Sequence, residues 1–288
     1  MEQKRSSPNC IGIVGLGLIG GSLGLDLQSL GFQVHGLVHR SSSAEKAKKR
    51  QLAHIISTDF ETLAKCDLII LALPIKELLK PSQELINALP KSAIITDVGS
   101  VKEPVLKLWS KLHQNFVPSH PMAGTTDSGV EAGRPKLFRN RPWIATRDKN
   151  TSPKALKKVE ELAVALGSRW ITAEAETHDQ AVALISHLPV LISAALIKTL
   201  ETEKNSSVFN LAKALASSGF ADTTRVGGGN PNLGTAMMAN NSSAIIRGLT
   251  SYNHNLQEFE EDIVNKNWNR IQKELEQTQS IRKDIFNN

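Results

Sequence analysis

Three polar residues in this 288-residue chain have the type and setting to do chemistry. His120 lies in SHPMAGT, Ser100 in TDVGSVK, and Arg225 in DTTR beside the glycines 227–229. A neutral imidazole that titrates near neutrality can take a proton from a hydroxyl. A serine hydroxyl can donate or accept a hydrogen bond. A planar guanidinium suits two-point binding of a carboxylate. Each residue also has a plainer reading. His120 can cap a strand end, Ser100 can cap a helix beginning at Val101, and Arg225 can form a surface ion pair. His187 and Asp179 are secondary candidates. His187 reads equally as a site residue or as a hydrogen-bonded core histidine, and Asp179 as a group that orients a neighbour. His178 precedes His187 by nine residues, which on an α-helix places the two on opposite sides. Pro189 should free the carbonyl of Ile185 and kink that helix.

A second cluster is Gly15-Leu16-Gly17-Leu18-Ile19-Gly20, which follows an apolar run at 11–14 and opens a helix. In that context G-x-G-x-x-G is a dinucleotide cradle. Gly15 permits the tight turn, Gly17 lets the backbone approach a pyrophosphate, and Gly20 lets helix and strand pack closely. The helix N-terminus offers unpaired N–H groups and the positive end of a dipole to the phosphates. An NAD site usually carries Asp or Glu at the end of the second strand. Here the chain reads His39-Arg40-Ser41-Ser42-Ser43, and no carboxylate appears before Glu45. Arg40 and the serine hydroxyls suit a ribose 2′-phosphate, and His39 can stack or hydrogen-bond beside it, so the expected cofactor is NADP. Leu73 and Pro74, at the end of the run 68–73, join the expected cofactor set.

The elements that position these residues are short apolar runs alternating with amphipathic stretches. Strands are expected at 11–14, 33–38, 68–73, 93–96, 116–119 and 143–146. Helices are expected at 18–30, 44–51 and 154–166, with Gly31 and Gly167 as stops. Such alternation implies an α/β fold with a doubly wound parallel sheet. Ligands in such sheets sit beyond the carboxyl ends of strands, where Ser100 and His120 both fall. From about 175 onward the chain reads as helices, giving an expected nucleotide-binding domain at 1–173 and a helical domain at 174–288. Leu249, Tyr252, Leu256, Phe259 and Ile263 keep helical spacing, a pattern that fits both core packing and a helical dimer interface.

Forty per cent of residues are hydrophobic and 22% are charged, the composition of a globular protein. The net charge of +6 is scattered, and one Tyr with eight Phe gives no base-stacking platform. Small anions are therefore the expected partners rather than nucleic acid. No apolar run approaches the ~18 residues of a membrane span, and the polar segment 1–9 holds no signal-peptide core. The expected location is the cytoplasm. The two cysteines make neither a disulfide framework nor a zinc site by their spacing, and no metal is expected.

Taken together, GLGLIGGSL (15–23), TDVGSVK (96–102), SHPMAGT (119–125), HDQAVALISHLP (178–189) and SGFADTTRVGGGNP (218–231) resemble the arogenate/prephenate dehydrogenase family, often called TyrA. The segments lie in the family's order and span nearly the whole chain. The resemblance implies a Rossmann domain, a helical dimerisation domain that makes a homodimer, and oxidative decarboxylation of a cyclohexadienyl precursor of tyrosine. It assigns His120 as the base for the ring 4-hydroxyl, Ser100 as a residue near nicotinamide and substrate, and Arg225 as the substrate-carboxylate ligand. Gly124 and Thr125 of the histidine segment, with His187 and Asp179, are expected around the substrate. Many prephenate-using relatives carry a second histidine directly after SHLP, where this chain has Val190. With the NADP signature, this favours arogenate, whose ammonium Asp127 or Asp179 could meet, over prephenate. β-Hydroxyacid dehydrogenases share the architecture but carry a catalytic lysine after a glycine-rich segment, which is absent here. A non-catalytic NADP sensor shares only the fold.

Overall fold

The apolar runs of the first half become parallel strands because both of their faces are covered. The computed structural model describes residues 10–125 and 127–286; the polar segment 1–9 lies outside them. Strands β1 (Cys10–Val14), β2 (Gln33–Leu37), β3 (Ile55–Ser57), β4 (Leu68–Leu71), β5 (Ile94–Asp97) and β6 (Phe116–Val117) form one parallel sheet in the order β3-β2-β1-β4-β5-β6. Between them run α1 (Leu18–Ser29), α2 (Ser41–Lys49), α3 (Ile75–Leu78), α4 (Gln83–Ala88) and α5 (Glu103–Leu112). Side chains alternate across the sheet. Ile11, Ile13, Leu68 and Ile70 join the core on one face, and Val14, Ile69 and Leu71 join the core on the other. This is the Rossmann order. It reverses between β1 and β4, which opens a crevice beyond their carboxyl ends.

The run 116–119, expected as one strand of this sheet, is divided. Pro118 has no N–H to donate to a ladder, and its carbonyl accepts from the Thr146 amide at 2.9 Å. The chain there leaves the parallel sheet and enters a second one. In it β7 (Ser119–Pro121) pairs antiparallel with β8 (Pro142–Thr146), which pairs parallel with β9 (Arg169–Ala173). Neither β3 nor β9 was legible as a strand. The residues of β9 are all exposed or half-buried, so it has no apolar alternation to read. Helix α6 (Pro153–Ala165) connects β8 to β9, and Gly167, at φ 78°, follows it as the expected stop.

Beyond β9 every element is helical. Helix α7 (Ala175–Val182) passes through a π-turn (Ala183–His187) into α8 (Leu188–Glu201), and α9 (Ser206–Leu215), α10 (Ser218–Thr224) and α11 (Pro231–Asn240) follow. Pro189 falls in the first turn of α8, where a missing N–H is tolerated, and the expected kink takes the form of the π-turn. By its internal contacts the chain divides into two units, one ending at Asn241 and one beginning at Ser242. The second unit holds α12 (Ser242–Val264) and α13 (Trp268–Phe286), joined by Arg270, which bridges Glu258 and Asp262 at 3.2 Å each. None of the stripe Leu249, Tyr252, Leu256, Phe259 and Ile263 is buried, and Leu256 and Ile263 are exposed.

Among the described residues, Ala175–Glu201 is long and apolar enough to cross a membrane by length and composition alone. This corrects the expectation of no such run. The sequence reading interrupts it at Pro189, whereas hydropathy averages over that residue. In the structure the run carries buried His178, Asp179, His187 and Ser193. Each is hydrogen-bonded to a group in another element, so these polar groups are satisfied within the protein.

Candidate active site

The glycine segment has the shape of a phosphate cradle. Gly15 adopts φ 93°, and a Cβ there would lie 2.5 Å from the Ala72 carbonyl oxygen. A Cβ on Gly20 would lie 1.8 Å from the Gly15 oxygen, so only glycine lets the helix start this close to the strand. Position 17 is different, because a Cβ on Gly17 would meet nothing within 4 Å. Gly17 is the N-cap of α1, no side chain caps that end, and its first turn holds no acid. Those features leave an open, electropositive cradle that fits a pyrophosphate. Leu73 is half-buried beside Gly15, followed by exposed Pro74. Beyond β2, His39, Arg40, Ser41 and Ser42 are all exposed, and Arg40 is the N-cap of α2, whose first turn also lacks an acid.

The polar groups around His120 are held by a buried ion pair. Asp97, the last residue of β5, and Lys102 are both completely buried and form a close salt bridge. The Lys102 ammonium also donates to the Ser119 carbonyl at 2.7 Å. Asp97 accepts from the Gly99 amide at 2.8 Å and the Ser119 amide at 3.1 Å. Burial pushes the Asp97 carboxyl up and the Lys102 ammonium down, and their mutual attraction opposes both shifts. These bonds bring the end of β5, and with it half-buried Ser100, beside β7, where His120 follows Ser119.

From His120 a chain of bonds runs into α7. Its Nδ1 lies 3.0 Å from His178 Nε2, and His178 Nδ1 lies 2.7 Å from Asp179 Oδ1. A carboxylate only accepts, so His178 Nδ1 carries a proton and its Nε2 accepts from His120 Nδ1–H. This leaves His120 Nε2 with a free lone pair. Asp179 is fixed in turn by the amides of Lys102 at 2.7 Å and Glu103 at 2.9 Å. It therefore caps α5 from 76 positions downstream, which places its charge at the positive end of that helix. Ser100 is not the cap, because the N-cap position of α5 is Lys102. With three donors in hand, buried Asp179 orients His178. Burial first, then the neighbouring charges of His178, Lys102 and His187, hold the His120 imidazole well below its ordinary value of 6.5.

His187 is also buried, 1% exposed, and burial lowers its pKa to about 4. Its Nδ1 lies 3.2 Å from Asn241 Nδ2, and that amide also donates to the Asp179 carbonyl at 2.7 Å. A carbonyl can only accept, which fixes the orientation of the amide. His187 Nδ1 is thus an acceptor and its Nε2 carries the hydrogen. His178 and His187 are both buried even though α-helical geometry puts them on opposite sides, because the π-turn between them closes i→i+5 and advances less per residue. Arg225 ends α10 exposed, with no ion pair or hydrogen bond of its side chain among the described residues. Its turn is docked on α8 by Ser193, which donates to the Thr223 carbonyl at 2.7 Å and accepts from the Gly227 amide at 2.9 Å. Gly124 is exposed, and the Thr125 hydroxyl pairs with Asp127 at 3.0 Å.

Sequence reasoning assigned no role to Asp97, Lys102, His178 or Asn241. Asp97 and His178 carried a signal, one as an acid ending an apolar strand and the other as the neighbour of Asp179. Lys102 reads as an ordinary surface residue of a helix start, and Asn241 as a loop residue between helices, until the fold buries them.

Two family profiles match the chain: the prephenate dehydrogenase nucleotide-binding domain over residues 23–172 and the prephenate dehydrogenase dimerization domain over residues 174–277. The cyclohexadienyl dehydrogenase of Zymomonas mobilis is 30% identical over 277 residues, covering 94% of each chain. Synechocystis arogenate dehydrogenase has a similar structure, with a TM-score of 0.83 and 41% identity over 96% of this chain and 99% of that one. So does the prephenate dehydrogenase of A. aeolicus, solved with hydroxyphenyl propionate and NAD+, with a TM-score of 0.90 and 27% identity over 98% and 100%.

The buried pair gives a direct stability expectation. Lys102→Met leaves Asp97 charged and unpaired in the interior, and should destabilise the fold by ~3–5 kcal/mol in equilibrium urea unfolding. A loss below ~1 kcal/mol would mean that the pair holds nothing together.

Proposed function

The chain belongs to the prephenate dehydrogenase family, and we propose that within it the protein oxidatively decarboxylates arogenate to tyrosine with NADP+, His120 acting as the base. The coarser activity, an arogenate/prephenate dehydrogenase of tyrosine biosynthesis, rests on relatives of both kinds. The observation that carries the chemistry is the His120–His178–Asp179 chain, which presents a free Nε2 lone pair on a neutral imidazole. Arogenate is favoured by Val190 after SHLP and by the likeness to the Synechocystis enzyme.

Each residue then has a task. Gly17 and the start of α1 hold the pyrophosphate, Leu73 and Pro74 flank the cofactor, and His39, Arg40, Ser41 and Ser42 receive the 2′-phosphate. The nicotinamide, when bound, supplies a hydride acceptor for ring C4. His120 Nε2 accepts the 4-hydroxyl proton as that hydride leaves, and Ser100 orients the hydroxyl. Arg225, unpaired among the described residues, takes a substrate carboxylate. His187, neutral and hydrogen-bearing at Nε2, donates to an acceptor on the substrate. Loss of the ring carboxylate as carbon dioxide leaves an aromatic phenolate, to which the same proton returns. Gain of aromaticity makes the step practically irreversible. A homodimer through the helical half accords with the dimerization profile and with exposed apolar residues such as Leu211, Leu215, Leu256 and Ile263.

The reading is tested by following reduced cofactor with arogenate or prephenate against NADP+ or NAD+. Turnover is expected with arogenate and NADP+, and equal turnover of prephenate would overturn the substrate assignment. His120→Asn should lower kcat at least ~100-fold with little change in KM; a kcat within severalfold of the parent would remove His120 from its role. A base must be neutral to act, and the pKa of His120 is held below 6.5. The ascending limb of kcat/KM should therefore lie below pH 6.5, and a limb above 7 would contradict a buried base. His187→Gln, which keeps an N–H donor, should hold KM within severalfold, whereas His187→Leu should raise it ~10-fold or more. Equal KM values for the two variants would show that His187 donates nothing.

A further inference from the structure

The two cysteines, far apart in sequence, meet at the amino-terminal edge of the parallel sheet. Cys10 opens β1 and Cys66 precedes β4; both are buried, and their sulfurs lie 3.3 Å apart. That separation is well beyond the ~2.05 Å of a disulfide, so the pair is a dithiol. His35 of β2 completes a group in which one ligand atom from each residue lies within 4.8 Å of the others. The His35 Nδ1 sits 2.8 Å from the Thr62 carbonyl. A carbonyl only accepts, so Nδ1 carries the hydrogen and Nε2 is left as a lone pair. An imidazole whose other nitrogen is tied to a backbone carbonyl is the form in which histidine usually binds a metal.

One further feature concerns the room beside the sulfurs. Residue 12, between Cys10 and the cradle, is glycine, and a Cβ there would lie 3.0 Å from Leu63, 3.1 Å from Ile69 and 3.2 Å from Cys66 Sγ. The space beside the sulfur therefore depends on the missing side chain. In a tetrahedral zinc site with Zn–S near 2.3 Å, the sulfurs stand ~3.8 Å apart, so the pair need open by only about half an ångström.

We propose that Cys10, Cys66 and His35 form a binding site for a thiophilic divalent cation, Zn2+ by its donor set. Two thiolates and one imidazole suit Zn2+ and exclude hard ions such as Mg2+. Binding releases the two thiol protons and changes no oxidation state. At ~3.3 Å per residue, the site stands about 16 Å from Gly15 at the opposite end of β1. The ion there staples β1, β2 and the entry to β4, and touches no residue of the catalytic cluster.

The test uses the full chain, reduced with a phosphine, loaded with Zn2+ and freed of excess. About one Zn2+ per chain should be retained, and Co2+ loading should give a thiolate-to-metal charge-transfer band. The Cys10→Ala/Cys66→Ala variant should lose both the ion and the band while keeping dehydrogenase turnover, and His35→Asn should weaken retention at least tenfold. Retention of no ion by the parent chain, absence of the thiolate band, or equal retention by the double variant would each overturn the proposal. Because the Co2+ spectrum is read on the parent protein, the result does not depend on the variants folding.

Discussion

Two buried carboxylates share one lysine. Asp97 takes the Lys102 ammonium and Asp179 takes the Lys102 backbone N–H, so one residue ties the end of the parallel sheet to the first helix of the helical half. The remaining valences of Asp97 go to Gly99 and Ser119, and those of Asp179 to Glu103 and His178. No charge in this arrangement can be removed alone without leaving its partner stranded in a medium that solvates it poorly. Ser100 and His120 are carried by the segments that these bonds fix. The position of His120 is therefore set by electrostatics in the interior, with the surrounding loops following.

What was legible in the sequence was what depends on near neighbours. The glycines at 15, 17 and 20 each answer a separate demand of a strand–turn–helix, and the demands are local, so their spacing betrays them. The runs at 11–14 and 68–71 are buried on both faces and read as strands for that reason. His120 stood out because it follows a strand end. What was hidden depends on pairs far apart in the chain. His120 and His178 are 58 positions apart, Lys102 and Asp179 are 77 apart, and His187 and Asn241 are 54 apart. Nothing within a helical or strand period marks Lys102 as buried. The departure of β7 from the parallel sheet turns on Pro118, whose missing N–H is visible in the sequence but whose consequence needs the partner strand β8.

The same contrast applies to polarity. Composition suggests scattered surface charge, and most of the lysines and arginines do lie at the surface. Yet the groups that give the molecule its chemical character are the buried polar ones, satisfied in closed chains of donor and acceptor. Because each chain ends on a group that can only accept, a carboxylate at His178 and, through Asn241, a carbonyl at His187, the tautomers of His120 and His187 are dictated. One ring offers a lone pair and the other a hydrogen. Two histidines of like composition are thereby made chemically opposite without any charge being placed on either.

The π-turn at Ala183–His187 has a consequence for how such a sequence can drift. Within it Leu184 and Ile185 are exposed, so their identities are free to wander. Its length is not. Removing one residue would restore α-helical winding and rotate everything beyond it by ~100°, sweeping His187 off Asn241 and the α8 surface away from Ser193's partners. In a lineage descended from this chain, the segment should accumulate substitutions readily and almost never gain or lose a codon.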